Sequence, residues 1–358
     1  MVTIQIVLTV HTGWVECMIQ AKKQYFKQDK NEAFNWYTIA VSKGDKQPIH
    51  KGNMNYIDAQ YRLGYMYYAG QGVAQNYAEA ERLYSLAAAQ GHANAQFNLG
   101  LMFKNGQGVA QDYAEAVRLY SLAAAQGHAS AQFNLGVIFD NGQGVAQDYA
   151  EAVRLYRLAA EQGHASAQFN LGNMFHDGHG VAQDYAEAAR LYGLAAEQGH
   201  ADAQYNLGNM FHDGHGVAQD YAEAVRLYGL AAAQGDADAQ YNLGFMFENG
   251  KGVAQDDAEA VRLYSLSAAQ GDANGQNNLG NMFRDGKGVA QDYAEAVRLY
   301  RLAADQGLAG AEYNLGFMFE KNKGVARDYA EAKKWYRLAY AHGIKQANTK
   351  LNGLVHTS

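Results

Sequence analysis

Residues 91–126 read GHANAQFNLGLMFKNGQGVAQDYAEAVRLYSLAAAQ, and residues 127–162 repeat them with few changes. The first half places Ala95, Leu99, Met102 and Phe103 at helical spacing, which predicts an amphipathic helix. The glycines of NGQG, Gly106 and Gly108, then end it, because they accept positive φ without a Cβ penalty. In DYAE, Asp112 is placed to cap a second helix, and Glu115, three residues on, predicts a reciprocal capping box. Ala116, Leu119, Tyr120 and Ala123 give that helix its buried face, and Gly127 stops it. The stretch is a helical hairpin.

From Asn55 the chain divides without gap into eight such repeats, 55–90, 91–126, 127–162, 163–198, 199–234, 235–270, 271–306 and 307–342. Residues 1–54 form an N-terminal segment holding a degenerate half repeat, Glu32 to Gly44, and an insertion with the lone Pro48. Residues 343–358 read as a closing helix and tail. No hairpin of this size buries its own apolar face, so stability has to come from stacking on neighbours. Small residues at the contacts, Gly100, Ala116 and Ala124, predict close helix approach.

Composition narrows the function classes. The chain has 358 residues, 39 glycines, one proline and a net charge of -7, with no basic stripe, so nothing points to nucleic acid or an anionic membrane. Cys17 is the only cysteine, which excludes an internal disulfide framework and a cysteine-rich zinc module. The opening MVTIQIVLTV lacks a basic n-region and a small-x-small cleavage site, and it is too short to span a bilayer. A cytoplasmic monomer is expected, with export through this atypical segment as the alternative.

The pattern Ala131, Leu135, Gly136, Phe139, Gly142, Gly144, Val145, Asp148, Ala152, Tyr156, Ala159, Ala160 and Gly163 resembles the Sel-one-like repeat (SLR), a longer relative of the tetratricopeptide repeat. The resemblance covers 288 residues. It implies an all-α, right-handed α/α superhelical solenoid used for protein–protein contact, as a scaffold or adaptor, and implies no reaction. Some cysteine-rich relatives have been proposed to act on β-lactams, but their paired cysteines are missing here.

Eight copies in one chain separate frame from function. Columns that never change, such as Leu99, Leu135 and Leu171 or Glu115, Glu151 and Glu187, serve what every copy shares, which is the fold. Pairs such as Asp148 with Glu151 are therefore caps, not a general acid and base. The arginines three residues after each glutamate, Arg118 for example, read as solvated or inter-repeat ion pairs. No Ser-x-x-Lys motif is present, and ENGKG at 248–252 lacks the Walker spacing, so no enzyme and no cofactor are expected.

The variable positions of the first helix, 4, 7, 11 and 14, share one face. Position 7 holds Tyr61, Phe97, Phe133, Phe169, Tyr205, Tyr241 and Tyr313, with Asn277 as the exception. Position 11 holds Tyr65, Leu101, Val137, Asn173, Asn209, Phe245, Asn281 and Phe317. Position 14 holds Tyr68, Lys104, Asp140, His176, His212, Glu248, Arg284 and Glu320. First helices line the concave side of hairpin solenoids, so this stripe predicts a groove for a peptide or protein partner. Charge reversal at Asp140, Glu248 or Glu320 is then expected to weaken binding and leave the fold alone. A metal-binding structural protein using His176, His179, His212 and His215 is the alternative; the column counterparts of these histidines, such as Lys104 and Gln107, disfavour a metal site common to the repeats.

Overall fold

The structure, a computed structural model, describes residues 17–25, 29–45 and 54–354. The opening stretch MVTIQIVLTV and the insertion around Pro48 lie outside the described residues. All described regular structure is helical, and the chain groups into two compact units, one up to Gln183 and one from Asp184.

The first unit contains α1 (17–25), α2 (Lys30–Asp45), α3 (Met54–Ala69), α4 (Tyr77–Ala89), α5 (Ala93–Asn105), α6 (Tyr113–Ala125), α7 (Ala129–Asn141), α8 (Tyr149–Glu161) and α9 (Ala165–Asp177). The second contains α10 (Tyr185–Glu197), α11 (Ala201–Asp213), α12 (Tyr221–Ala233), α13 (Ala237–Asn249), α14 (Asp257–Ala269), α15 (Ala273–Asp285), α16 (Tyr293–Ala304), α17 (Ala309–Lys321), α18 (Tyr329–Ala341) and α19 (Lys345–Gly353). From α2 to α9 and from α10 to α19, helices adjacent in sequence pack on one another. Each unit is an α-solenoid of hairpins.

The second repeat shows why its sequence makes a hairpin. His92 caps α5 by accepting the Ala95 N–H at Nδ1, and Gly106, at φ 67°, ends the helix by returning its N–H to Met102. Asp112 caps α6 by accepting the Glu115 N–H at 3.0 Å. The predicted reciprocal half of that box is replaced. The Asp112 N–H is taken by the Phe103 carbonyl at 2.9 Å, which leaves the Glu115 carboxylate to grip Arg118 at 2.6 and 2.8 Å. The arginine column is therefore paired within its own helix.

The core lies between repeats more than within them. Ala80, Tyr84 and Ala87 of one repeat cluster with Ala95, Leu99, Met102 and Leu119 of the next, and Ala116, Tyr120 and Ala123 cluster with Ala131, Leu135, Ile138 and Leu155. Gly100 is a point of close approach within the hairpin. A Cβ there would sit 2.8 Å from the Tyr120 ring.

A second tie is polar. The buried Gln96 donates to the Ala88 carbonyl at 3.1 Å and accepts from Gln126 at 2.8 Å, so a residue of low exposure has both ends of its amide satisfied. The pairs Gln162–Gln132 and Gln270–Gln240 repeat the link, and Glu312 with His342 replaces it at the C-terminal end. There α19 covers the last hairpin, with Ala347 and Leu354 packed against Phe319, Tyr336 and Ala339. Among the described residues no helix is long and apolar enough to cross a membrane.

Candidate functional site: the first-helix face

All the residues that the sequence assigned to positions 7, 11 and 14 are half-buried, neither sealed in the core nor free in solvent. The position 7 rings divide their surface between face and frame. Tyr61, Phe97 and Phe133 stack on the N-cap imidazoles His92, His128 and His164 at 4.7–4.8 Å between centroids. Their other side lies against the buried rings of Tyr84, Tyr120 and Tyr156 at 5.7–5.9 Å. Tyr205, Tyr241 and Tyr313 meet Tyr228, Tyr264 and Tyr336 in the same way. An aromatic at position 7 thus wedges neighbouring repeats together, a role that aromatic periodicity alone did not reveal.

Positions 11 and 14 are tied to the fold through the buried tyrosine of the second helix. Where position 14 is acidic, it accepts the phenol: Tyr156 donates to Asp140 at 3.1 Å, Tyr264 to Glu248 at 2.7 Å and Tyr336 to Glu320 at 2.7 Å. Position 11 is then apolar, as Val137, Phe245 or Phe317. Where position 14 is His212 or Arg284, an asparagine at position 11 takes over, whereas Lys104 is accompanied by Leu101. Tyr228 donates to Asn209 at 2.7 Å and Tyr300 to Asn281 at 2.8 Å. His212 and Arg284 turn instead to the next residue, Asp213 and Asp285.

This corrects the expectation that charge reversal at Asp140, Glu248 or Glu320 spares the fold, because each carboxylate satisfies a buried hydroxyl. Burial raises the Asp140 carboxyl above its usual range, with the Tyr156 bond acting in the opposite sense. Glu320 shifts downward. Burial opposes this, but hydrogen bonds from Lys321, Tyr336 and Lys350 prevail.

A polar column that the sequence reading passed over completes the face. Position 8 is asparagine in seven repeats, from Asn98 to Asn314, and its side chains reach the same phenol sites: Asn98 to Tyr84, Asn170 to Tyr156 and Asn278 to Tyr264, at 3.2–3.3 Å. Asn242 donates to Asn209 at 3.2 Å. The signal was in the alignment of copies, where a half-exposed amide recurs at one position in seven of the eight repeats, with Arg62 as the exception. Between α11 and α13 the face opens into a cavity of about 270 Å³, walled by Asn209, His212, Tyr228, Tyr241, Asn242 and Phe245. Loop cations cover part of the apolar surface, Lys251 above Phe245 at 5.1 Å and Lys323 above Phe317 at 5.7 Å.

The histidines of the stretch NMFHDGHG, which occurs at 173–180 and again at 209–216, are engaged elsewhere. His176 and His212 lie 2.6 Å from Asp177 and Asp213, while His179 and His215 stack on Tyr149 and Tyr185. Among the described residues no three His, Cys, Asp or Glu side chains are grouped so as to hold a metal ion.

The opposite, second-helix face carries a cavity of about 670 Å³ between α10 and α12. It is lined by Ala189 and Gly193, where other repeats carry Val117 and Ser121 or Val153 and Arg157, and by Leu207, Phe211, Leu227 and Leu230. Lost side-chain volume at two positions opens it.

The fold defines the class: an α/α-hairpin repeat protein whose variable residues lie along its first helices. The chain belongs to the Sel1 repeat family, whose pattern matches residues 24–45, 57–92, 93–128, 129–164, 165–200, 201–236, 237–272, 273–308 and 309–344. It is similar to the crystal structure of a protective antigen present in uropathogenic Escherichia coli strains that displays an SLR fold. Identity is 37%, the TM-score is 0.80, and the match covers 86% of this chain and 66% of that one. The chain thus spans slightly less than two thirds of that antigen's length. It is also similar to a Sel1 repeat protein from Oxalobacter formigenes, with 32% identity, a TM-score of 0.63, and coverage of 87% of this chain and 90% of that one. Comparison with curated proteins finds no match. The Sel1 repeat fold is typically a non-catalytic scaffold for protein interaction.

Proposed function

We propose that the chain is a non-catalytic adaptor that holds a peptide segment of a protein partner along its first helices. One observation carries this reading. Three residues whose positions differ from repeat to repeat, Asn209, His212 and Phe245, line the cavity of that face beside the recurring Tyr241 and Asn242, so that amide groups are combined with ring surface. Amides bond a partner's backbone whatever its side chains, and aromatic walls give buried area, the combination found at peptide-binding surfaces.

The test is site-specific photocrosslinking. A benzoylphenylalanine is placed at Asn209 or Phe245 on the first-helix face, or at the exposed Leu122 or Leu266 on the second helices. The first pair is expected to capture a common partner and the second pair none. Capture of that partner from Leu122 or Leu266 alone would show that the wrong face has been assigned.

A further inference from the structure

Tyr120 departs from five of its counterparts and shares an unpartnered hydroxyl with Tyr37 of the degenerate half repeat. Its side chain is fully buried, and among the described residues its hydroxyl has no hydrogen-bond partner. Tyr156, Tyr264 and Tyr336 each donate to a carboxylate at position 14, and Tyr228 and Tyr300 to an amide at position 11. In the second repeat these positions are Lys104, which only donates, and Leu101, which does neither. Asn134, the position 8 amide that could have helped, donates to the Ser130 carbonyl at 2.8 Å.

Lys104, at position 14 of the same repeat, is as unusual as that phenol. It reaches the Asn134 carbonyl oxygen at 3.5 Å and forms no ion pair among the described residues. Arg284, the other permanent cation at this position, is held by Asp285 through two bonds of 2.8 Å, whereas the residue after Lys104 is Asn105. One repeat therefore presents a buried hydroxyl seeking an acceptor and a half-buried ammonium without a carboxylate.

The chain contains the completed version of this arrangement. In the last repeat the Glu320 carboxylate accepts from the Tyr336 hydroxyl at 2.7 Å and from the Lys350 ammonium at 3.2 Å. We propose that the second repeat binds a carboxylate contributed by the partner, an Asp or Glu side chain of the bound peptide, held between the Tyr120 hydroxyl and the Lys104 ammonium. The proposal rests on the first-helix face being the binding face. A side chain, and not a chain terminus, is the occupant because the face continues on both sides, with Tyr61 and Tyr65 before it and Phe133 and Val137 after it. A peptide lying there passes through. Such a carboxylate relieves an unmet buried donor and gains a charge-assisted bond in one contact, so it supplies direction and register along an otherwise tolerant surface.

The experiment uses the full chain and a bead library of acetylated, amidated nonapeptides. Wild type is expected to enrich sequences with Asp or Glu at one fixed position, and changing that acid to its amide should weaken a selected peptide about tenfold or more. Lys104→Glu supplies the acceptor internally, as Glu248 does for Tyr264. It should raise the unfolding temperature and erase the acidic preference while keeping the rest of the consensus. Tyr120→Phe, which keeps the ring, should fold normally and lose part of the preference. A consensus without an acid, or one whose acid survives Lys104→Glu, overturns the carboxylate site and leaves the binding face standing. Enrichment only in a parallel library with free C-termini overturns the side-chain assignment. Enrichment of no peptide at all removes the binding face and the site with it.

Discussion

Tyr264 is the residue through which the variable face acts on the fold. A buried hydroxyl deprived of its acceptor costs about 1–3 kcal/mol, more than the hydrogen bond itself contributes. Glu248→Lys is therefore expected to destabilise by about that amount, read from urea unfolding. Adding Tyr264→Phe should recover most of the loss, since no orphan remains. If the single and double variants unfold alike, the phenol–carboxylate bond carries no weight. Glycine makes a second contrast between positions that are both helical. At Gly136 a Cβ would stand 2.7 Å from the Tyr156 ring, whereas at Gly193 it meets nothing within 4 Å. Gly193→Ala should stabilise by about 0.5–1 kcal/mol through helix propensity, and Gly136→Ala should destabilise, both measured by thermal melts. The sequence showed both as helix glycines but not the difference, because that depends on which ring stands opposite.

At the scale of the helix, much was readable from the repeat alone. Leu99, Met102, Ala116 and Tyr120 announced the two buried faces, Asp112 the second cap and Gly106 the stop, and each does what its spacing implies. What the spacing hid was choice among partners. Glu115 had two donors in reach, the Asp112 N–H and Arg118, and the competing Phe103 carbonyl decided between them from a different helix. The asparagines at position 8 were visible as a column but passed over, because a test that equates invariance with frame has no way to flag a residue that serves frame and surface together. Leu135 joins α6, α7 and α8 through one cluster, so Leu135→Ala should cost about 2–5 kcal/mol and loosen more than its own helix. Hydrogen exchange that rises in α7 alone would contradict a core shared between repeats. Arg118→Ala, which breaks an exposed pair, should change stability by only about 0.3–0.5 kcal/mol.

Across the whole chain, the caps of the first helices change chemistry. His92, His128 and His164 cap α5, α7 and α9 through Nδ1, while Asp236 and Asp272 cap α13 and α15 through carboxylates. A backbone N–H only donates, so Nδ1 must be unprotonated and the proton sits on Nε2, which in His128 faces the Asn94 carbonyl oxygen at 3.0 Å. Protonation destroys the acceptor and sets a positive charge at a helix N-terminus. Burial beneath Tyr61, Phe97 and Phe133 holds all three imidazoles below their ordinary value, with Asp58 and Arg62 facing His92 in opposite senses. A depressed folded pKa means that the unfolded chain binds the proton more readily. The contribution of each cap is thus complete above about pH 6.5 and is lost as pH falls through the folded value. A carboxylate cap has no ring nitrogen whose protonation removes the acceptor in this way. Between pH 7.5 and 5.5, hydrogen exchange corrected for intrinsic rate should therefore accelerate in the first turns of α5, α7 and α9 relative to those of α13 and α15. His128→Asp should abolish the change in α7 and leave it in α5 and α9. An equal response in histidine-capped and aspartate-capped helices would mean that the imidazole caps are not what senses the proton.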